Sequence, residues 1–203
     1  MSGTVVMKFG GTSVADAERI KRAAKRIVRA REQGQQVVAV LSARGKTTDE
    51  LIAMAEEVSP DPDRREMDML LSTGERISAA LCAMAIEDLG RRAISLTGSQ
   101  AGIVTDTSHT KARILDVRAD RIRQALDEDL IVLVAGFQGV STARDVTTLG
   151  DQGINIEMIS TSPIKISCVV SADAVDTAVR ALHEAFDLGA DHVEVEHPFG
   201  APA

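Results

Sequence analysis

The stretch Val5-Val6-Met7-Lys8-Phe9-Gly10-Gly11-Thr12-Ser13-Val14 constrains the fold more than any other part of the chain. Residues 4–9 are largely apolar without strict alternation, which reads as a buried strand. Gly10-Gly11-Thr12-Ser13 breaks it, and helical periodicity then runs over 14–32 and stops at Gly34. A second apolar, β-branched run, Val37 to Leu41, ends in the polar loop Ser42-Ala43-Arg44-Gly45-Lys46-Thr47-Thr48, after which Asp49 to Val58 resumes helical spacing. Strand passing to helix through a glycine loop, twice in succession, predicts a parallel α/β sheet.

Further along, Ser59-Pro60-Asp61-Pro62-Asp63 is a turn, and residues 64–89 form one or two helices with Ser72-Thr73-Gly74-Glu75 as an interruption or cap. Arg92 to Leu96 reads as a short strand, Thr97 to Gly102 as a loop, Arg113 to Val117 as a strand and Asp120 to Leu126 as a helix. Asp129 to Phe137 has the pattern of a fully buried strand ending at Gln138-Gly139. Ser141 to Gly153 is polar and glycine-punctuated, and beyond it the pattern changes. Ile154 to Ile159 and Ile164 to Val170 read as paired strands joined by Ser160-Thr161-Ser162-Pro163, followed by a helix at Ala172 to Phe186 and a strand at His192 to Glu196. That order, ββαβ, is part of a ferredoxin-like unit, with a boundary near Gly150.

With 203 residues, 44% of them hydrophobic, the chain can bury a real core, and with no Trp, no Tyr and four Phe that core is aliphatic. The methionines at 54, 67, 69 and 84 fall in helical patterns and read as core filler. A net charge of −7 argues against a nucleic-acid surface. The basic run Arg19, Lys21, Arg22, Lys25, Arg26, Arg29, Arg31 alternates with apolar residues and reads as the solvated face of a helix. Cys82 and Cys168 sit in apolar runs, as buried free thiols suited to a reducing cytoplasm. No signal-peptide core and no uninterrupted apolar run of membrane-spanning length is apparent, so the expected location is cytoplasmic, with no membrane partner. His109, His183, His192 and His197 show no metal-ligand spacing and are assigned to surface or packing roles.

Five motifs occur in one order: Lys8-Phe9-Gly10-Gly11-Thr12-Ser13-Val14, Ser42-Ala43 through Thr47-Thr48-Asp49, Thr73-Gly74-Glu75-Arg76-Ile77-Ser78, Thr97-Gly98-Ser99-Gln100-Ala101-Gly102 and Val134-Ala135-Gly136-Phe137-Gln138-Gly139. In this order they resemble those of the aspartokinases, within the amino-acid kinase family. The tail Ile154-Asn155-Ile156-Glu157-Met158-Ile159-Ser160-Thr161-Ser162 resembles part of that family's C-terminal ACT regulatory unit. The resemblance implies a three-layer α/β/α sandwich lobe over residues 1–150 and a partial ACT unit (ββαβ) over 151–203. It also implies an internal deletion: after Gly150 the family continues with an Arg-Gly-Gly-Ser-Asp loop, the nucleotide-binding half and a first ACT unit, whereas here Asp151-Gln152-Gly153 follows.

The reaction the resemblance implies is transfer of the γ-phosphoryl of ATP to the side-chain carboxylate of L-aspartate, with Mg²⁺. A carboxylate with a pKa of roughly 3.9 is ionised at neutral pH, so the demand on the site is fixed positive charge and in-line positioning rather than a general base. Lys8 at a strand end suits that demand, with Phe9, Gly10 and Gly11 as the phosphate-facing backbone and the following helix N-terminus aimed at the same anion. The plainer alternatives are a strand-edge lysine and a tight turn, with Thr12 or Ser13 an N-cap. By resemblance, Thr48 and Glu75 hold the amino-acid substrate, Glu75 pairing with its α-ammonium. The plainer alternatives here are an N-cap for Thr48 and a capping carboxylate for Glu75. Ser42 and the Phe137-Gln138-Gly139 turn stand at strand ends, where open α/β sheets place ligands. Asn155, Ile156, Thr161 and Ser162 match the region of the family's lysine or threonine effector site.

Two functions follow as expectations. One is an aspartate kinase by descent, whose missing half predicts negligible turnover by this chain alone. The other is a non-catalytic amino-acid-binding or interaction module that forms homo-oligomers or pairs with a full-length aspartokinase through exposed strand edges.

Overall fold

The computed structural model describes residues 3–150, 156–162 and 165–170, with side chains described for residues 3–150. The first layer is a parallel sheet of β1 (Thr4–Phe9), β2 (Gln36–Leu41), β6 (Ile131–Ala135) and β3 (Ala93–Leu96), in the order β1-β2-β6-β3. Register is continuous, Phe9 opposite Leu41 and Leu41 opposite Ala135, so the C-terminal ends of three strands finish level. β6 is buried at every position, as its unbroken apolar sequence requires. On one face pack α1 (Ala17–Glu32) and α3 (Arg64–Glu87), whose Ile20, Ala23, Ala24, Ile27, Ala79, Cys82 and Ile86 form a core with Val37, Ile131 and Leu133. On the other, α4 (Asp120–Asp127) places Ala125 against Val38, Val132 and Val134. The basic residues of α1 lie on its solvent side.

Three segments differ from expectation. Residues 64–87 form one unbroken helix: Ser72 and Thr73 donate their hydroxyls to Met69 and Leu70 carbonyls within it, and Gly74 lies where a Cβ would come 2.8 Å from Ala43 Cβ. Gly74 therefore allows close approach of α3 to the loop after β2 and does not interrupt the helix. The helix α2 (Thr47–Val58) starts two residues early, with Lys46 rather than Thr48 at its N-cap, and buries none of its residues fully. Met54, Met69 and Met84 are exposed, at 55%, 39% and 62%, because α2 lies outside the core and α3 has an uncovered side. They are not core filler.

A second, mixed sheet reads β5 (Ile114–Val117), β4 (Ile103–Thr105), β7 (Gln138–Ser141) and β8 (Val146–Thr148). Three of these strands, β4, β7 and β8, are absent from the sequence reading, which assigned no strand to those residues. Their fully buried side chains are polar, Thr105, Gln138, Ser141, Thr147 and Thr148, and Thr105 Oγ1 lies 2.7 Å from Thr147 Oγ1. By length and composition α3 could cross a membrane. Its buried Asp68, Ser72, Glu75 and Ser78, and its packing on α1, β3 and β6, make it a core helix of this domain.

In the tail, β9 (Ile156–Ser162) pairs antiparallel with β10 (Lys165–Val170) and lies beside β1. Ser160, Thr161 and Ser162 belong to β9 rather than to a connecting loop. The expected helix at 172–186 and strand at 192–196 lie outside the described residues, as do His183, His192 and His197.

Candidate active site

The level ends of β1, β2 and β6 are tied together by their backbones. Ser42 N donates to Phe9 O (3.0 Å), Gly45 N to Gly11 O (3.0 Å) and Gly136 N to Leu41 O (2.8 Å). Gly11 is required by this approach, since a Cβ would come 2.8 Å from Ala43 O. Lys8 and Ser42 are half-buried at this end and Gly10 is buried. The ring of Phe9 is 5% exposed, in the core below the Arg26 guanidinium, so only its backbone faces the loops.

The helix after the glycine turn departs from expectation. Gly11–Val14 forms a short 3-10 turn, and α1 begins only at Ala17, capped by Asp16, whose carboxylate accepts from Arg19 N at 2.8 Å. Neither Thr12 nor Ser13 is the cap, and the positive end of α1 is already satisfied by Asp16. Cationic charge comes instead from side chains: Arg19, Arg22 and Arg26 line a cavity of about 410 Å³ with Thr12 and Ser13 beside the turn.

Glu75 lies beside the loop after β2, 7% exposed, in the middle of α3 and not at a helix start. Gln138 Nε2 donates to Glu75 Oε2 (3.3 Å) and to Ser72 O (3.0 Å), and the Ala43 N–H reaches the same carboxyl. Burial outweighs these donors and pushes its pKa up to about 7. Thr48 is exposed on the first turn of α2, whereas the Thr47 methyl faces Gly74. Phe137 ends the group, 46% exposed with φ 59°, a left-handed conformation held as β6 turns into β7.

Sequence reasoning missed what seats Gln138. A Cβ on Gly98 would come 2.0 Å from Gln138 O, so the Thr97–Gly102 motif serves to let two backbones cross. It also missed Asp68, fully buried two turns before Glu75 on α3. Asp68 accepts from Thr148 Oγ1 (2.5 Å) and Thr110 N (3.1 Å), and its Oδ2 lies 2.7 Å from His109 Nδ1. Thr148 pairs with Gln138 across β7 and β8, so one chain of contacts runs from Asp68 to Glu75. Of the effector residues, Ile156, Thr161 and Ser162 lie along β9, opposite Val170, Ile166 and Lys165. Asn155 lies outside the described residues.

The sequence model of the amino acid kinase family matches residues 3–154. The chain belongs to the amino acid kinase family. A second model, of an ACT domain, matches residues 135–186. The chain is 56% identical over 173 residues to the aspartokinase of Mycolicibacterium smegmatis, covering 85% of this chain and 40% of that protein. It is 48% identical over 174 residues to that of Geobacillus stearothermophilus, covering 86% and 42%. The chain thus spans about two-fifths of the length of the curated relatives it matches. The aspartate kinase of Synechocystis superposes with a TM-score of 0.61 at 47% identity, over 73% of this chain and 24% of that one. E. coli aspartokinase III, solved with aspartate and ADP, gives 0.63 at 22% identity, over 75% and 44%, a likeness of fold.

Proposed function

We propose that residues 1–150 are the aspartate-binding lobe of an aspartokinase-type phosphotransferase and that residues 151–203 are part of an ACT unit. The reaction this lobe serves is transfer of the ATP γ-phosphoryl to the side-chain carboxylate of L-aspartate. The observation that carries the reading is Glu75, a buried carboxyl beside the Ala43 loop, with hydrogen-bond donors about it and no ion pair among the described residues, the charge of Arg76 acting on it only through space. An α-ammonium placed there supplies the missing positive charge. In this reading Ser42 and Phe137, at the ends of β2 and β6, and Thr48, on the first turn of α2, take the amino-acid side, while Lys8 and the Gly10-Gly11 backbone take the phosphate side. Arg19, Arg22 and Arg26 add cationic charge next to that turn.

Mg²⁺, implied by the family, finds no fit on this chain's own residues. No group of three His, Cys, Asp or Glu converges among the described residues, and Asp16 is committed to the α1 cap and to Arg19. The nucleotide-binding half of the relatives has no counterpart after Gly150, so the chain binds aspartate without turning it over. Calorimetry with L-aspartate tests the lobe assignment: binding weakened at least tenfold by Glu75→Gln supports it, and no binding by the wild-type chain overturns it. A coupled ADP-release assay tests the need for the missing half, which turnover abolished by Lys8→Ala would overturn.

A second reading, favoured by the ACT match overlapping the end of the kinase match, is a non-catalytic module that pairs with a full-length aspartokinase through its tail strands. Co-purification with such an enzyme, and calorimetry with lysine and threonine, separate it from the first.

A further inference from the structure

Arg76 follows Glu75 on α3, so its side chain leaves the helix about 100° further round, away from the Glu75–Gln138 contact. Its Nε is buried and makes no hydrogen bond, and no ion pair to Arg76 is found among the described residues. Arg76 is partly buried and its charge is attracted by the neighbouring Glu75, but a dry N–H without an acceptor still costs stability unless something outside the chain completes it. The adjacent acid, Glu75, takes its hydrogen bonds from Gln138 and Ala43 and meets the charge of Arg76 only through space.

Arg76 lines a cavity of about 200 Å³ whose apolar side is Ala79, Ala80, Leu96 and Ala135, with Ser95, Thr97 and Gln100 completing it. Leu96 and Ala135 are the last residues of β3 and β6, so the cavity opens at the carboxyl end of the parallel sheet, the place such sheets offer to ligands. The Thr97 hydroxyl already accepts from Gln100 N (3.1 Å), which leaves its own proton to donate. A guanidinium and a hydroxyl donor beside an apolar surface match a carboxylate on a short hydrocarbon body: the oxygens take the fork, the body covers the alanines.

We propose that this cavity binds a small aliphatic carboxylate, its oxygens on Arg76 and Thr97 and its body against Ala79, Ala80, Leu96 and Ala135. The site is separate from Lys8 and Glu75, and it stands or falls independently of aspartate binding there.

Calorimetric titration of the full chain with butyrate tests it, with 1-butanol and inorganic phosphate as controls and thermal melts of each variant without ligand. Saturable butyrate binding is expected, at least tenfold weaker in Arg76→Gln and partly retained in Arg76→Lys, with neither control binding as tightly. Because Arg76 makes no hydrogen bond or ion pair among the described residues, Arg76→Gln should melt no lower than wild type near pH 5, where Glu75 is protonated. A lower melting point would make Arg76 a structural residue and overturn the proposal. So would butyrate binding untouched by Arg76→Gln, binding abolished by Lys8→Ala, tighter binding of phosphate, or no binding at all.

Discussion

Glu75 sets the pH behaviour at the scale of single residues. Its folded pKa is raised to about 7 by burial, while the unfolded chain titrates in the usual carboxyl range. The native state therefore holds the extra proton between those values, and its stability is highest below the unfolded pKa and falls as pH rises to about 7. Glu75→Gln should remove that fall, leaving the variant more stable than wild type at pH 8 by roughly 3 kcal/mol and little changed at pH 4, read from urea unfolding at both pH values. If the α-ammonium of aspartate pairs with the ionised form, affinity should rise up to tenfold per pH unit below 7 and level off above it, which calorimetry from pH 5 to 8 measures. Gly98 gives a second test: the tight crossing at Gln138 O predicts that Gly98→Ala costs about 1–3 kcal/mol by chemical denaturation.

Between elements, Asp68 joins α3 to the loop at His109-Thr110 and to β8, and through β8 to the strand carrying Gln138. Asp68→Ala leaves three polar groups facing a void at a fully buried position, and a loss of about 3 kcal/mol is expected from urea unfolding. Thr148→Val removes one hydroxyl and should cost nearer 1 kcal/mol. If the two variants cost the same, the network does not converge on Asp68. The second sheet to which these contacts belong was illegible in the sequence for a physical reason. Its strands are three or four residues long, too short for a period-2 pattern, and Thr105, Gln138, Thr147 and Thr148 are polar yet buried because they bond to one another or to α3, as is Ser141, which accepts from Asp145 N. Composition marks such residues as loop; only their partners make them core.

For the whole molecule, turnover of aspartate and ATP by this chain alone should be negligible, and a complementing nucleotide-binding half should restore it, as ADP release would report. By itself the sequence determined the parallel sheet and its helices: β2 and β6 are apolar runs buried along most of their length and α1 is strongly two-faced, so local pattern and burial agree there, whereas β1, read as a buried strand, is an edge strand of its sheet buried only at Phe9. The five ordered motifs also marked the family. Tertiary structure decided what those motifs do. Lys8-Phe9-Gly10-Gly11 and Ser42-Ala43 meet because parallel register brings strand ends level, and Gly74 and Gly98 are glycines because another chain segment passes within contact of them. Whether Glu75 was a cap or a buried carboxyl, and whether Arg76 had a partner, depended on groups distant in sequence, which local spacing does not encode.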